Sequence, residues 1–265
     1  MNTVTVPDKY RDDLKRLRMF DDDFFRKLCH LRTFVDVLAG YLFNDIHVIE
    51  HYSQYDMNYS PKKSIIPDLH LTTDRGNINI EVERHRERLE SRRVRYNASV
   101  LDVHSSSKGM EYKDMMDTKT VFICEFDPIG EGLPVYSISS IITDTMNEYD
   151  DGREYILING SYEGNDRIGR LIHDLRQSEA KDMVIPELRE IMKYYKESEE
   201  GVKEMCEIFE GIAKRNKAEG IQESNVSAIR KCINKLNYTI MQALEFLDIP
   251  AEEHGMYKEL LKDNL

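Results

Sequence analysis

The stretch from Ser64 to Glu83 constrains the fold most, because it has the pattern of a β-hairpin that carries acids. Its first half holds apolar, partly β-branched residues typical of a strand, and Gly76 lies among small and polar turn formers. In its second half apolar and polar residues alternate, namely Ile78, Ile80 and Val82 against Asn77, Asn79, Glu81 and Glu83. This period of two is typical of a second strand. The sequence therefore predicts two antiparallel strands that turn near residues 74 to 76.

Three acids of this hairpin are predicted to lie close together. Glu81 and Glu83 point to the same face, because side chains alternate along a strand. The predicted turn pairs Asp68 with a residue near position 82. Acids are depleted in strands and repel one another at close positions, so the cluster indicates a hard cation, which prefers oxygen ligands. A solvated acidic face is the alternative, since ion-pair networks also gather acids, and the spacing leaves both open.

The chain as a whole is acidic. Its 265 residues include 37 Lys and Arg against 49 Asp and Glu, which gives a net charge of −12. That balance argues against coating nucleic acid by bulk electrostatics, although it is compatible with a local basic patch. With no apolar run of transmembrane length and no signal-peptide stretch, we expect a cytoplasmic protein without membrane contact. The four cysteines lack metal-ligand spacing and are expected to be buried, reduced thiols: Cys29, Cys124, Cys206 and Cys232.

A strongly basic segment, 84–95, follows the acids directly. Helical spacing predicts one stripe formed by Arg84, Arg88, Arg92 and Arg95. One interpretation is a solvated helix face partly neutralised by nearby glutamates. The other is a helix that contacts DNA phosphates, and its position beside the acids favours this one. Arg93 and Tyr96 share a helix face and are assigned to DNA-backbone contacts or to support of the acidic site.

Helices and strands alternate in the first part of the chain. Residues 9–43 have helical spacing, and Asp21, Asp22 and Asp23 would cap or open the second helix of this region. Strands are predicted at 46–60, 120–126, 135–142 and 155–159. The second of these is apolar enough for a central strand buried on both faces. The pattern predicts a mixed α/β core over residues 1–165.

The last part, residues 166–265, has helical spacing throughout. A charged stretch at 213–220 is predicted to interrupt it. Two short helices up to Leu247 and a terminal turn at Pro250 are predicted to follow. We expect this helical C-terminal region to pack on or extend the core.

An ordered set of motifs matches a known pattern. Besides Pro67-Asp68 and Glu81-Val82-Glu83, it comprises Asp21 to Phe25, Gln54, Lys63-Ser64, Arg93 to Tyr96, Val121 to Pro128 and Leu247 to Pro250. In these motifs nearly the whole chain resembles the bacterial PD-(D/E)XK nuclease family transposases, also called recombination-promoting nucleases. The resemblance implies a restriction-endonuclease-like core, with a central mixed sheet of four or more strands flanked by helices.

The resemblance also implies a chemistry. Asp68 and Glu81 would bind Mg²⁺, which Mn²⁺ can replace, with help from the Val82 carbonyl, and the protein would hydrolyse DNA phosphodiesters in recombination or element mobility. Asp22 or Asp23 would be the helix-borne acid that some superfamily members use. DNA would be the partner, no nucleotide cofactor is expected, and the residues assigned to DNA are Arg88, Arg92, Arg93, Arg95 and Tyr96.

Position 83 departs from this family pattern. It holds Glu where the superfamily has Lys and the family commonly has Gln. A Glu cannot lower the pKa of an attacking water as a Lys does, but it could act as a general base or a further metal ligand. Two hypotheses result: a Mg²⁺-dependent endonuclease, or a catalytically silent DNA-binding or interaction protein on the same fold. A third, compatible with either, is an oligomerisation module of the C-terminal helices that would give a homodimer.

Overall fold

The computed structural model describes residues 7–54, 56–57 and 65–262, which form a mixed α/β core and a helical C-terminal region. The α-helices are α1 Arg11–Arg16, α2 Asp22–Leu28, α3 Arg32–Leu42, α4 Ser91–His104, α5 Arg167–Arg176, α6 Pro186–Glu197, α7 Glu199–Leu236, α8 Ile240–Phe246 and α9 His254–Lys262. The strands are β1 Val48–Ser53, β2 Leu69–Thr73, β3 Gly76–Glu83, β4 Thr118–Cys124, β5 Val135–Ile138, β6 Ile141–Ile142, β7 Asn147–Glu148 and β8 Arg153–Asn159. Helices thus flank a central sheet, as predicted.

The central sheet has six strands in the order β1-β2-β3-β4-β8-β5. The β1, β2 and β3 strands pair antiparallel, β3, β4 and β8 pair parallel, and β5 returns antiparallel along β8. The apolar strand β4 therefore lies between two parallel neighbours, which confirms the prediction of a buried central strand. The predicted strand over 135–142 is instead divided into β5 and β6, and β6 pairs with β7 in a separate ribbon.

The acid-bearing hairpin is confirmed as the β2–β3 pair. Leu69 pairs with Ile80 and Leu71 with Ile78, within one residue of the predicted register. Every residue of β3 is buried, including both glutamates. The register sets which side chains share a face, so it brings the end of β3 beside the start of β2.

Helix α4 covers the sheet face that carries the acids. Its Val94 packs in a cluster with Phe122 and Cys124 of β4 and with Leu157 of β8. Phe122 and Cys124 are the parallel partners of Glu81 and Glu83 in the β3–β4 ladder. Since parallel partners point to the same face, the two glutamates lie under α4.

The prediction that four arginines form one helical stripe over residues 84–95 is wrong. Arg84 follows the end of β3, Arg86–Arg88 form a short 3-10 turn, and α4 begins only at Ser91. Arg92 and Arg95 are therefore on a helix, whereas Arg84 and Arg88 are not. The chain leaves the sheet at Arg84 and must turn before it can cross back over the sheet face as α4.

The predicted interruption at 213–220 is also wrong, because α7 continues through it from Glu199 to Leu236. The stretch is rich in Ala, Lys, Arg and Glu, which favour helix, and one Gly in a helix interior costs only about 1 kcal/mol. The compact units divide between Val202 and Lys203. The first unit therefore includes α5 and α6, both of which pack on α3, and extends past the boundary predicted at residue 165.

The cysteines and the helix lengths bear on two further expectations. All four cysteines are free; Cys29, Cys124 and Cys232 are buried, as expected, and Cys206 is partly exposed. No helix among the described residues is both long and apolar enough to cross a lipid bilayer.

Gly76, at the hairpin turn, is expected to tolerate no side chain. Its φ is +131°, and a Cβ would lie 2.1 Å from the carbonyl oxygen of Asp117. We expect Gly76→Ala to lower the free energy of unfolding by about 2 kcal/mol in urea titrations. Gly109→Ala is the matched control, since Gly109 has φ +89° but no atom near its Cβ position. It should lose only about 1 kcal/mol from backbone strain, and equal losses would contradict the steric argument.

Candidate active site

Asp68 and Glu81 meet at the open end of the hairpin. Asp68 directly precedes β2, and its Oδ2 accepts a hydrogen bond from the backbone N–H of Val82 at 3.0 Å. Continuing the β2–β3 register by one residue places Asp68 opposite Glu81. Asp68 is 5% and Glu81 8% exposed, so both carboxyl groups are withdrawn from water. The predicted proximity of these two acids is present in the fold.

Glu81 is a poorly stabilised carboxylate in this position. Burial, together with the neighbouring charge of Asp68, raises its pKa to about 8, although Arg93 and Arg26 act in the opposite direction. Asn97 of α4 donates to Glu81 Oε1 at 3.3 Å. A carboxyl group with such a pKa gains strongly from a nearby cation, because burial and like charge both disfavour its ionised form.

A third acid approaches from the first turn of α2. Burial raises the pKa of Asp22, and the charge of Asp68 adds to that effect, while Arg84 and Arg26 oppose it. Asp22, one of the two helix acids named from the sequence, is thus perturbed by burial and by the charge of Asp68. Asp23 lies beside it in the same turn.

Arg26 holds Asp68 from the other side. Its Nε donates to Asp68 Oδ1 at 2.8 Å. Sequence reasoning missed this contact, although a signal was present: Arg26 follows Asp22 by four residues, so both lie on the same face of α2. One short helix therefore brings an acid and a cation to the same carboxylate.

Glu83 is neutralised by Arg93 of α4. Arg93 Nη1 donates to Glu83 Oε2, and its Nη2 lies 3.7 Å from Glu81 Oε2. The guanidinium also lies over the ring of Phe122, 5.4 Å from its centre, and Glu83 Oε1 accepts from the backbone N–H of His85 at 2.9 Å. Of the two roles assigned to Arg93, support of the acidic site is the one that these contacts favour.

The remaining basic residues divide into paired and exposed groups. Arg84 bonds Glu125 at 2.8 Å and Asp21 at 3.1 Å, so it belongs to an ion-pair network. Three arginines assigned to DNA are exposed, namely Arg88, Arg92 and Arg95. Tyr96 is partly buried and packs against the cluster of Met57, Ile65, Val100 and Leu101. Its ring therefore contributes to the packing of α4.

The side chains at this site carry the type of ligand atom, carboxylate oxygen, that binds a hard divalent cation. Asp22, Asp68 and Glu81 supply carboxylate oxygens, and the charge of Asp68 raises the pKa of both Asp22 and Glu81. Within the described residues, no group of three or more His, Cys, Asp or Glu side chains is arranged so that it could hold a metal ion. At Asp68, Arg26 and the Val82 amide each engage one oxygen. Each oxygen keeps a further lone pair.

Comparison of the chain with known protein families, with curated proteins and with solved structures finds no match. The sequence motifs and the site geometry are therefore the observations that bear on function. Of those motifs, Lys63-Ser64 lies outside the described residues. Gln54 is described, with a left-handed backbone (φ 51°) immediately after β1.

Proposed function

We propose that this chain is a Mg²⁺-dependent DNA endonuclease with a restriction-endonuclease-like core, of the PD-(D/E)XK transposase type. One observation carries the proposal: the hairpin register brings Asp68 and Glu81 together as buried carboxyl groups at the end of a parallel strand. Burying two carboxyl groups side by side is costly even with Arg26 on Asp68 and Arg93 near Glu81, and ligand or metal sites are among the places where folds retain such an arrangement.

Each residue has a role in this proposal. Asp68 and Glu81 would hold the cation, and Asp22 would add an outer carboxylate from α2. Arg26 would orient Asp68, as second-row partners of metal ligands commonly do. The cation, when bound, would stabilise negative charge that develops on the scissile phosphate and its leaving oxygen. The exposed Arg88, Arg92 and Arg95 would bind the DNA backbone.

Arg93 supplies a positive charge where position 83 does not. A lysine in the third motif position would bring an ammonium group beside Glu81, and Glu83 cannot. Instead, Glu83 binds Arg93, whose other nitrogen stays 3.7 Å from Glu81 Oε2. The Glu83–Arg93 pair thus puts a guanidinium close to the proposed cation site. This arrangement supports retention of activity despite the missing lysine.

The direct test is nicking of supercoiled plasmid by the full chain. We expect nicking in Mg²⁺ or Mn²⁺ that EDTA stops, and Asp68→Asn should reduce the rate more than about 100-fold, since even outer partners of metal ligands contribute about 10–100-fold. Asp144→Asn is the matched control, because it makes the same chemical change at an exposed position. It should leave the rate unchanged.

Two outcomes would contradict the proposal that this chain is an endonuclease acting through Asp68. Cleavage that persists in Asp68→Asn would show a different site or a contaminant. If the wild-type chain cleaves DNA in neither metal, the remaining hypothesis is the catalytically silent DNA-binding protein. That second candidate is favoured by the exposed Arg88, Arg92 and Arg95, and it requires salt-sensitive DNA binding that is lost when all three become alanine.

A further inference from the structure

One face of α7 in the second unit lines an open cleft of about 680 Å³. Four exposed charged residues stand along it around Ser227: Glu219 and Glu223 on one side, Lys231 and Lys235 on the other. Residues four apart are neighbours on a helix, so these five form one continuous stripe. The stripe is acidic in its first half and basic in its second, over a length of about 24 Å.

The charges of this stripe are not compensated by the described residues of the chain. Like charges at four-residue spacing repel one another mildly, and both halves of the stripe have that spacing. None of the four makes an ion pair with any residue in the described part of the chain. In the same cleft, the Nε of Arg230 is buried without a hydrogen-bond partner among the described residues. The cleft therefore offers polar groups to something outside this chain.

We propose that this face binds the same face of a second copy of the chain, in an antiparallel pair related by a two-fold axis at Ser227. Glu219 and Lys235 lie eight residues to either side of Ser227, and Glu223 and Lys231 lie four. One axis therefore sets each acid opposite a lysine of the other copy. A two-fold interface is self-complementary by definition, and this stripe meets that condition.

The size of the contact determines the expected affinity of the dimer, and its charges determine the orientation and the salt dependence. The contact is one helix wide, and the apolar side chains that line the cleft are Val226 and Leu260. Such an area is below that of stable interfaces, so association in the micromolar range is expected. Charged rims mainly set orientation and partner choice, and salt screens them. The pairing does not depend on nuclease activity.

Sedimentation equilibrium of the full chain at low salt tests the pairing by charge reversal. The wild-type chain should self-associate. Glu219→Lys with Glu223→Lys, or Lys231→Glu with Lys235→Glu, should each weaken association at least about tenfold, since attraction becomes repulsion at every pair. Mixing these two variants should give a heterodimer, and combining all four changes in one chain should restore self-association.

Lys214→Glu with Lys217→Glu is the matched control, since it changes the net charge equally at exposed positions of α7 outside the set that lines the cleft. Association should be unchanged in that variant, and circular dichroism should show equal helix content in all of them. A wild-type chain that stays monomeric at about 200 μM, above the micromolar range expected for the dimer, would overturn the proposal. So would a dimer that the four reversals leave unaffected, or that the control weakens as much.

Discussion

Replacing Glu81 by glutamine is expected to abolish cleavage and at the same time to stabilise the metal-free fold. The carboxylate is a proposed ligand, so its loss should reduce nicking more than about 100-fold. In the metal-free protein, however, the same carboxylate is buried beside Asp68. A neutral amide of the same shape removes that repulsion and can still meet Asn97. Opposite effects on activity and stability are the signature of a group retained for function.

The stabilisation should depend on pH in a defined direction. The pKa of Glu81 is raised to about 8 from an ordinary value of 4.5, so the fold prefers the protonated acid. Below about pH 4.5 the residue is protonated in both the folded and the unfolded chain, and it exerts no penalty. As the pH rises, the unfolded chain releases its proton first, and stability falls until about pH 8. In Glu81→Gln this loss is absent, so the variant should be more stable than the wild type by about 5 kcal/mol above pH 8.

Urea unfolding in EDTA at pH 5 and pH 8.5 measures the difference. Glu87→Gln is the matched control, because Glu87 is exposed and should show no pH-dependent gain. Calorimetric titration with Mn²⁺ should give binding to the wild type and none to Glu81→Gln. A stability difference that is equal at both pH values, or unchanged Mn²⁺ binding, would contradict the role given to Glu81.

The sequence was sufficient for the hairpin because its signals are local. Alternation along Ile78, Ile80 and Val82 and the turn at Gly76 determine the register, and the register determines that Asp68 meets Glu81. The apolar run of β4 likewise identified a central strand without any tertiary information. Features that depend only on period and turn chemistry could thus be predicted, including the positions of the two main acids.

Contacts between distant residues could not be predicted in the same way. Arg84 has helical spacing with Arg88, but ion pairs with Asp21 and Glu125 hold it outside any helix. Whether Arg93 meets DNA or Glu83 depends on where α4 crosses the sheet, which no local pattern encodes. The continuity of α7 was missed for the opposite reason: a charged, solvated stretch lacks apolar periodicity and yet has high helix propensity.

Replacing Arg93 by alanine is expected to lower the cleavage rate about 10–100-fold, and a lysine at position 83 should restore part of that loss. Arg93→Ala removes the guanidinium near Glu81 and leaves Glu83 buried without its partner, which should also destabilise the fold by about 3 kcal/mol. In Glu83→Lys with Arg93→Ala, the buried acid is gone and an ammonium group stands in the third motif position. That double variant should recover stability and part of the cleavage rate.

Restoration of cleavage by Glu83→Lys in the Arg93→Ala background distinguishes two roles of Arg93: supplying positive charge at the site, or stabilising the fold alone. Nicking rates are compared at equal folded fraction, with Arg170→Ala as the matched control, since it makes the same chemical change at an exposed position of α5 that has no role in the proposed site. A double variant that is stable and still slow would contradict a role of positive charge at the site, because the restored charge would not restore cleavage. Full activity of a folded Arg93→Ala would equally refute the idea that this guanidinium replaces a motif lysine, because the charge near Glu81 would then be dispensable.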